Sequence, residues 1–199
     1  MTKPLKAYMA GPWVFRPTAD VEDFQKRVRD FCDGPLQGAI IPIFPMDPIT
    51  NPSRNGMPLT MDVTDPMKIA AHCRRHIAQC DVIVADVTPF RGVQPDPGTI
   101  LEIGIAHGVG KGVWLYSEEP IPQLRNRLIA EGRASAGQDR DHQGFLIEDF
   151  GLPVDTMLSA YRYTIGCLAA LKAVRVHYGN PEKYEMEGLP MASEGRCPC

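Results

Sequence analysis

The sequence predicts an α/β fold: a doubly wound, parallel, five-stranded sheet with helices on both faces. Three observations predict it. Val82-Ile-Val-Ala-Asp86 is a short, nearly continuous hydrophobic run, as expected of a strand buried on both faces of a parallel sheet. Similar short runs alternate with segments whose apolar residues recur at helical spacing. The segments between strand ends and helix starts are rich in Pro and Gly, and open α/β sheets bind their ligands there.

Residues 6–10 form the first strand, ended by Gly11-Pro12, with Tyr8 near its C-terminal end. Residues 20–32 carry Val21, Phe24, Val28 and Phe31 as one helical stripe, stopped by Asp33-Gly34-Pro35. Residues 39–44 form the second strand, and Pro42 within it points to an edge or irregular strand. Residues 45–66 form a long proline-rich loop, expected to act as a lid. Residues 67–80 form the second helix, with Ile69, Ala70, Cys73 and Ile77 inward, and residues 82–86 the third strand. Residues 99–108 form the third helix, with Ile100, Ile103 and Ala106 facing the sheet. A fourth strand at 112–116, a short helix within 121–133, a fifth strand at 145–147 and a long helix at 154–178 complete the series. Right-handed crossovers then give the flavodoxin-like strand order 2-1-3-4-5, with its topological switch between strands one and three. That gathers Tyr8, Asp86 and residues 88–102 around one crevice. Residues 1–179 read as one domain and 180–199 as an arm or tail.

With 199 residues and a formal net charge of -3, the chain has no basic footprint, which argues against a nucleic-acid polymer as partner. No apolar run approaches the length of a membrane span. The start, MTKPLKAYMAG, lacks the apolar centre of a signal peptide, so a cytoplasmic location is expected. Cys32, Cys73, Cys80 and Cys167 lie in or beside helices among apolar neighbours and read as free thiols. Cys197-Pro-Cys199 has no second pair to complete a metal set and reads as part of the tail. His72 and His76 are four apart but lack the HExxH pattern. With His107 they read as core or solvated histidines, so no metal is expected. Gly108-Val-Gly-Lys-Gly112 runs from helix to strand, the reverse of a phosphate loop, and Gly11-Pro12 lacks the GxGxxG of a dinucleotide site.

Asp96 and Glu102 carry the chemistry. A retaining glycosyl transfer needs one carboxylate as nucleophile and another as acid/base, roughly 5 Å apart. Glu102, placed in the first turn of its helix, is favoured as an anion by the helix dipole, which suits a nucleophile. Asp96, pinched in Pro95-Asp-Pro-Gly98, is a candidate for carrying the leaving group's proton. The same residues also read as a capping box, Thr99-x-x-Glu102. Tyr8 either hydrogen-bonds Glu102 or simply packs. Phe90-Arg91-Gly92 either offers the crevice an aromatic face and a cation or is a turn with a surface arginine.

Tyr8-Met-Ala-Gly-Pro12, Ala85-Asp86, Phe90-Arg-Gly92, Asp96-x-Gly-Thr99 and Glu102-Ile-Gly104, taken together, resemble the nucleoside 2-deoxyribosyltransferase family. The resemblance continues through Gly110-Lys111 to Glu148-Asp-Phe-Gly-Leu-Pro153 and covers roughly residues 6–160. It implies that Glu102 attacks C1′ of a 2′-deoxynucleoside and releases the base, and that an incoming base then attacks the deoxyribosyl-enzyme. It implies that Asp96 handles the proton on the base and that Tyr8 orients Glu102. It implies 2′-deoxynucleosides and free nucleobases as partners, and neither a metal nor an organic cofactor. Gly11, Trp13, Phe15, Asp86, Phe90, Arg91 and Gly98 become candidate substrate contacts, with Trp13 and Phe15 as pocket walls. The resemblance also implies a homo-oligomer whose neighbouring subunit completes each site with an Asn-x-Met segment. Asp155 and Met157 match it, with Asp in place of Asn. Where the family often has an Asp or Asn to hold the base, this chain has Cys73. Two alternatives are a related hydrolase of 2′-deoxynucleoside 5′-monophosphates, with Arg91 or Arg16 on the phosphate, and a non-catalytic nucleotide-binding domain.

Overall fold

The computed structural model describes residues 3–50, 58–59 and 65–179. Five parallel strands form one sheet: β1 (Leu5–Ala10), β2 (Ile40–Ile43), β3 (Val82–Asp86), β4 (Gly112–Ser117) and β5 (Arg162–Ile165), in the order β2-β1-β3-β4-β5. This is the predicted flavodoxin-like order. β3 is buried at every position, as its unbroken apolar run requires. β2 lies at the edge, where Pro42 costs no ladder hydrogen bond.

The helices are α1 (Thr18–Asp33), α2 (Pro66–Gln79), α3 (Pro97–Gly108), α4 (Leu124–Ala130) and α5 (Cys167–Gly179). Two cores flank the sheet. On one face Met9, Val84 and Trp114 pack with Phe24 and Val28 of α1 and Leu171 of α5. On the other, Tyr8, Ile83 and Leu115 pack with Ile77 of α2 and Ile103 and Ala106 of α3. Side chains alternate along a strand, and Tyr8 pairs with Ile83 while Met9 pairs with Val84. Tyr8 therefore looks towards α2 and α3. Asp86, two residues beyond Val84, shares the α1 face.

The C-terminal third differs from expectation. The fifth strand is Arg162–Ile165, not residues 145–147, whose Phe145 and Leu146 are exposed and whose backbone makes only a short bridge, Arg140 to Leu146. The predicted helix over 154–178 is a single turn at Leu158–Ala160, then β5, then α5. Leu158, Tyr161, Ile165 and Leu168 recur at helical spacing by coincidence and hid the strand between two helical pieces. Gly166, at φ 90, makes the corner between β5 and α5, a conformation that suits glycine. Of the expected lid, Ile49–Thr50 pairs antiparallel with Pro58–Leu59, and residues 51–57 and 60–64 lie outside the described residues. The expected tail at 180–199, with Cys197-Pro-Cys199, lies outside them too. No described helix is long and apolar enough to cross a membrane.

Candidate active site

α3 begins at Pro97, one turn earlier than the capping-box reading requires. Asp96 is the N-cap: its Oδ2 accepts from the Thr99 amide at 2.8 Å and from the Thr99 hydroxyl at 3.0 Å. Pro97 occupies the first helical position, where a missing N–H costs nothing. Thr99 is thus a capped residue and not a cap. Glu102 lies in the second turn, beyond the backbone amides a capping box would use. The helix dipole has little hold there.

Tyr8 is fully buried on β1, and its hydroxyl donates to Glu102 Oε1 at 2.6 Å. Burial is the largest influence on Glu102. It pushes the carboxyl up from its ordinary 4.5 to about 7, against donors from Tyr8 and Cys73 that favour the anion; the charge of Asp96 adds to the rise. The Tyr8 phenol is raised by burial first and by the Glu102 charge second, so it stays a donor. Glu102 and Asp96 line one cavity of about 320 Å³, within the size range of small-ligand sites. Gly11, Phe15 and Gly98 also line it, with Cys73, Ile69 and Ala70 of α2 as the opposing wall. Its surface is mostly apolar, a dry setting for two acids.

Asp86, Trp13 and Phe90 lie elsewhere. They line a neighbouring cavity of about 500 Å³ beyond the Pro12–Phe15 turn, together with Arg16 and Glu118. Strand parity is the reason, because Asp86 faces α1 while Tyr8 faces α3. The expected single crevice is two cavities. Gly11 sits between them, where a Cβ would come within 2.8 Å of Asp86 Cβ, so only glycine fits this close approach. Asp86 is buried, its carboxyl raised by desolvation, and it accepts from the Thr88 amide at 2.9 Å. Phe90 reaches the Glu102 cavity indirectly, since its ring stacks on Phe15 at 5.3 Å. Arg91 holds a positive φ of 52 and lays its guanidinium over both rings, 4.7 Å from Phe90 and 5.1 Å from Phe15. Asp155 and Met157 are not among the residues lining the cavity; Asp155 caps its own turn by accepting from the Met157 amide, and the Met157 side chain is 79% exposed.

Sequence reasoning missed the anchor of one cavity wall. Pro45 and Met46 line the cavity, and Asp47 fastens them to the body of the protein. The Asp47 carbonyl lies 2.9 Å from His72 Nε2 and 2.8 Å from His76 Nε2, the two nitrogens being 3.2 Å apart. Its carboxylate accepts from Arg29 at 2.8 and 3.1 Å and from the Phe44 amide at 2.9 Å. Both histidines are buried, and desolvation lowers the pKa of His76. The spacing of His72 and His76 was visible in the sequence, but their common partner was not. Among the described residues no group of three or more His, Cys, Asp or Glu is placed to hold a metal ion.

Two carboxylates on one cavity, at the carboxyl end of a parallel sheet, are the equipment of a glycosyl-transferring enzyme. Residues 7–157 match the nucleoside 2-deoxyribosyltransferase family, and the chain belongs to that family. Among solved structures it is similar to a 2-desoxiribosyltransferase from Leishmania mexicana, at 28% identity and a TM-score of 0.66, covering 88% of this chain and 99% of the other. It also shares its fold with a conserved protein from Enterococcus faecalis V583, at 18% identity and a TM-score of 0.52, covering 86% of this chain and 99% of the other. No curated protein matches the sequence.

Proposed function

We propose that the protein transfers the 2-deoxyribosyl group between nucleobases by double displacement, with Glu102 as nucleophile and retention of configuration. The observation that carries this reading is the buried pair, Tyr8 hydroxyl on Glu102 Oε1 at 2.6 Å, opening on the cavity that Asp96 shares. Glu102 attacks C1′ as the bond to the base breaks, and Asp96 supplies the proton to the departing base. The Tyr8 hydrogen bond aims one carboxyl oxygen and leaves the other to attack. An incoming base then gives up its proton to Asp96 and displaces Glu102. A deoxyribose lacks the electron-withdrawing 2′-hydroxyl, so its oxocarbenium-like transition state is reached with little more than two carboxylates in a dry cavity. Neither a metal nor an organic cofactor takes part.

Substrates are 2′-deoxynucleosides and free nucleobases. Phe15, supported by Phe90 and Arg91, offers an aromatic wall on which a base can stack. A second copy of the chain completes the site through Asp155 and Met157. The exposure of Met157, Phe150 and Leu101, at 79%, 70% and 62%, supports this, because large apolar side chains this open mark association surfaces. The four described cysteines are free thiols, which suits the cytoplasm.

Incubation with a 2′-deoxynucleoside, followed by rapid denaturation and peptide mass analysis, is expected to find a deoxyribosyl adduct on Glu102. Base exchange between a deoxynucleoside and a free base is expected in the native chain and absent in Glu102→Ala. Full exchange by Glu102→Ala would end this mechanism. The same assay with a deoxynucleoside 5′-monophosphate and no acceptor base tests for the hydrolase instead.

A further inference from the structure

Arg91 is exposed, yet its backbone is held in an unfavourable conformation. Among the described residues only Gln37 and Arg91 have positive φ without being glycine. Gln37 belongs to the turn that follows α1, and left-handed residues are routine after a helix end. Arg91 lies between β3 and α3 and has no helix end to account for it. A left-handed backbone is costly for a residue with a Cβ and persists only where its surroundings demand it. In an extended chain the side chains of neighbours such as Phe90 and Arg91 point to opposite sides. The left-handed turn at Arg91, φ 52, instead brings its guanidinium back over the Phe90 ring, at 4.7 Å.

The arrangement of the three groups is specific. The rings of Phe15 and Phe90 lie 5.3 Å apart at an interplanar angle of 21°, and the guanidinium carbon lies 5.1 Å from one centroid and 4.7 Å from the other. In a linear stack the two outer members would stand much further apart than either neighbouring pair. Three nearly equal separations make a triangle, so Arg91 bridges both rings. Phe15 lines the cavity of Glu102 and Asp96, whereas Phe90 and Arg91 are not among its lining residues and back that wall from outside. Phe15 closes the Pro12–Phe15 turn and is 56% exposed, so burial alone does not fix its ring.

We propose that Arg91 is a positioning residue for the base: its guanidinium clamps Phe15 against Phe90 and sets the plane on which a nucleobase stacks. This deepens the transferase reading and rests on it. A cation over exposed aromatic faces is a weak bond, worth a factor of about two to five in an equilibrium. Without the clamp, the Phe15 ring has to be ordered when the base arrives, and apparent affinity falls by the fraction of time the ring is out of place. The step at C1′ is left alone, because Arg91 lies outside the cavity that both acids share.

The test compares the native chain with Arg91→Gly and Arg91→Lys. Glycine suits the left-handed backbone and removes only the cation, so a loop that merely needs its turn is unharmed by it. Arg91→Gly is expected to raise KM for the acceptor base by about two- to five-fold with kcat nearly unchanged. Arg91→Lys, which keeps a cation, is expected to recover part of that loss. A native KM in Arg91→Gly, or an Arg91→Lys variant that behaves as Arg91→Gly does, overturns the inference. So does a loss confined to deoxynucleoside 5′-monophosphates, which makes Arg91 a phosphate ligand. Proton NMR reads the clamp without substrate. The Arg91 δ-methylene protons of the native chain, assigned by their loss in Arg91→Gly, are expected upfield of their unfolded position through the ring currents, and Phe15→Leu is expected to move them back. Unshifted protons in the native chain overturn the inference. If the native chain exchanges no base at all, the transferase reading fails, and the NMR comparison still decides whether Arg91 holds Phe15.

Discussion

Glu102 is held in a place that opposes its charge. Its carboxyl titrates at about 7 in the fold against an ordinary 4.5, with burial as the main cause. The folded state therefore disfavours ionisation, and this destabilisation grows as pH rises from the ordinary value to the folded one, then levels off. Glu102→Gln keeps an acceptor for Tyr8 and removes the charge. It is expected to abolish exchange and to stabilise the protein by on the order of 2 kcal/mol at about pH 8, with no gain at about pH 4. Thermal denaturation at the two pH values checks this, and equal shifts at both would contradict it. That Asp96 and Glu102 would border one cavity was legible from residue type and order. The energetic position of Glu102 was not, because one turn of error in the helix start put it under the wrong influence, the dipole instead of desolvation.

At the scale of elements, α3 is capped by Asp96, the residue that the proposed mechanism also uses as its acid. Asp96→Asn preserves the cap and removes the acid. It is expected to unfold like the native chain and to lose most exchange activity, while Asp96→Ala costs about 1 kcal/mol of stability in addition. Chemical denaturation beside the exchange assay separates the two contributions. The wall at Pro45 and Met46 depends on the paired histidines of α2 through Asp47. His72→Phe keeps the volume and removes one of the two bonds to that carbonyl. The expected result is about 1 kcal/mol of lost stability and a KM several-fold higher, with kcat nearly unchanged. Strands β1 to β4 were legible because each is a compact apolar run between breakers. β5 was not, because an edge strand reading Arg-Tyr-Thr-Ile has no such signature and its apolar neighbours mimic a helix.

For the whole molecule, the strand order followed from alternation and handedness, and the topological switch put Glu102 where such sheets bind ligands. The division of the carboxyl edge into two cavities was also implicit. Counting in twos along β1 and β3 separates Tyr8 from Asp86, a step that grouping by loop proximity overlooks. Assembly leaves no trace in one chain except what it fails to cover. Met157→Arg places a charge on a residue that is largely exposed in the protomer, so its melting temperature is expected to be unchanged. Sedimentation is expected to show a smaller particle, and the exchange assay a large loss. An intact assembly with full activity would show that this surface is not the one that pairs.

Asp96 and Glu102 ride on the same short rod. Six residues of helix fix how far apart they stand, about 9 Å along the axis from one backbone position to the other, and no loop rearrangement alters that interval. On the proposed function, tolerance towards bulkier bases originates on the facing side, where Ile69 and Ala70 border the void. Trimming Ile69 would enlarge the space available to a base without disturbing the spacing of the acids. That separation of duties gives an engineer, or natural selection, one surface to vary while the reacting groups stay as they are.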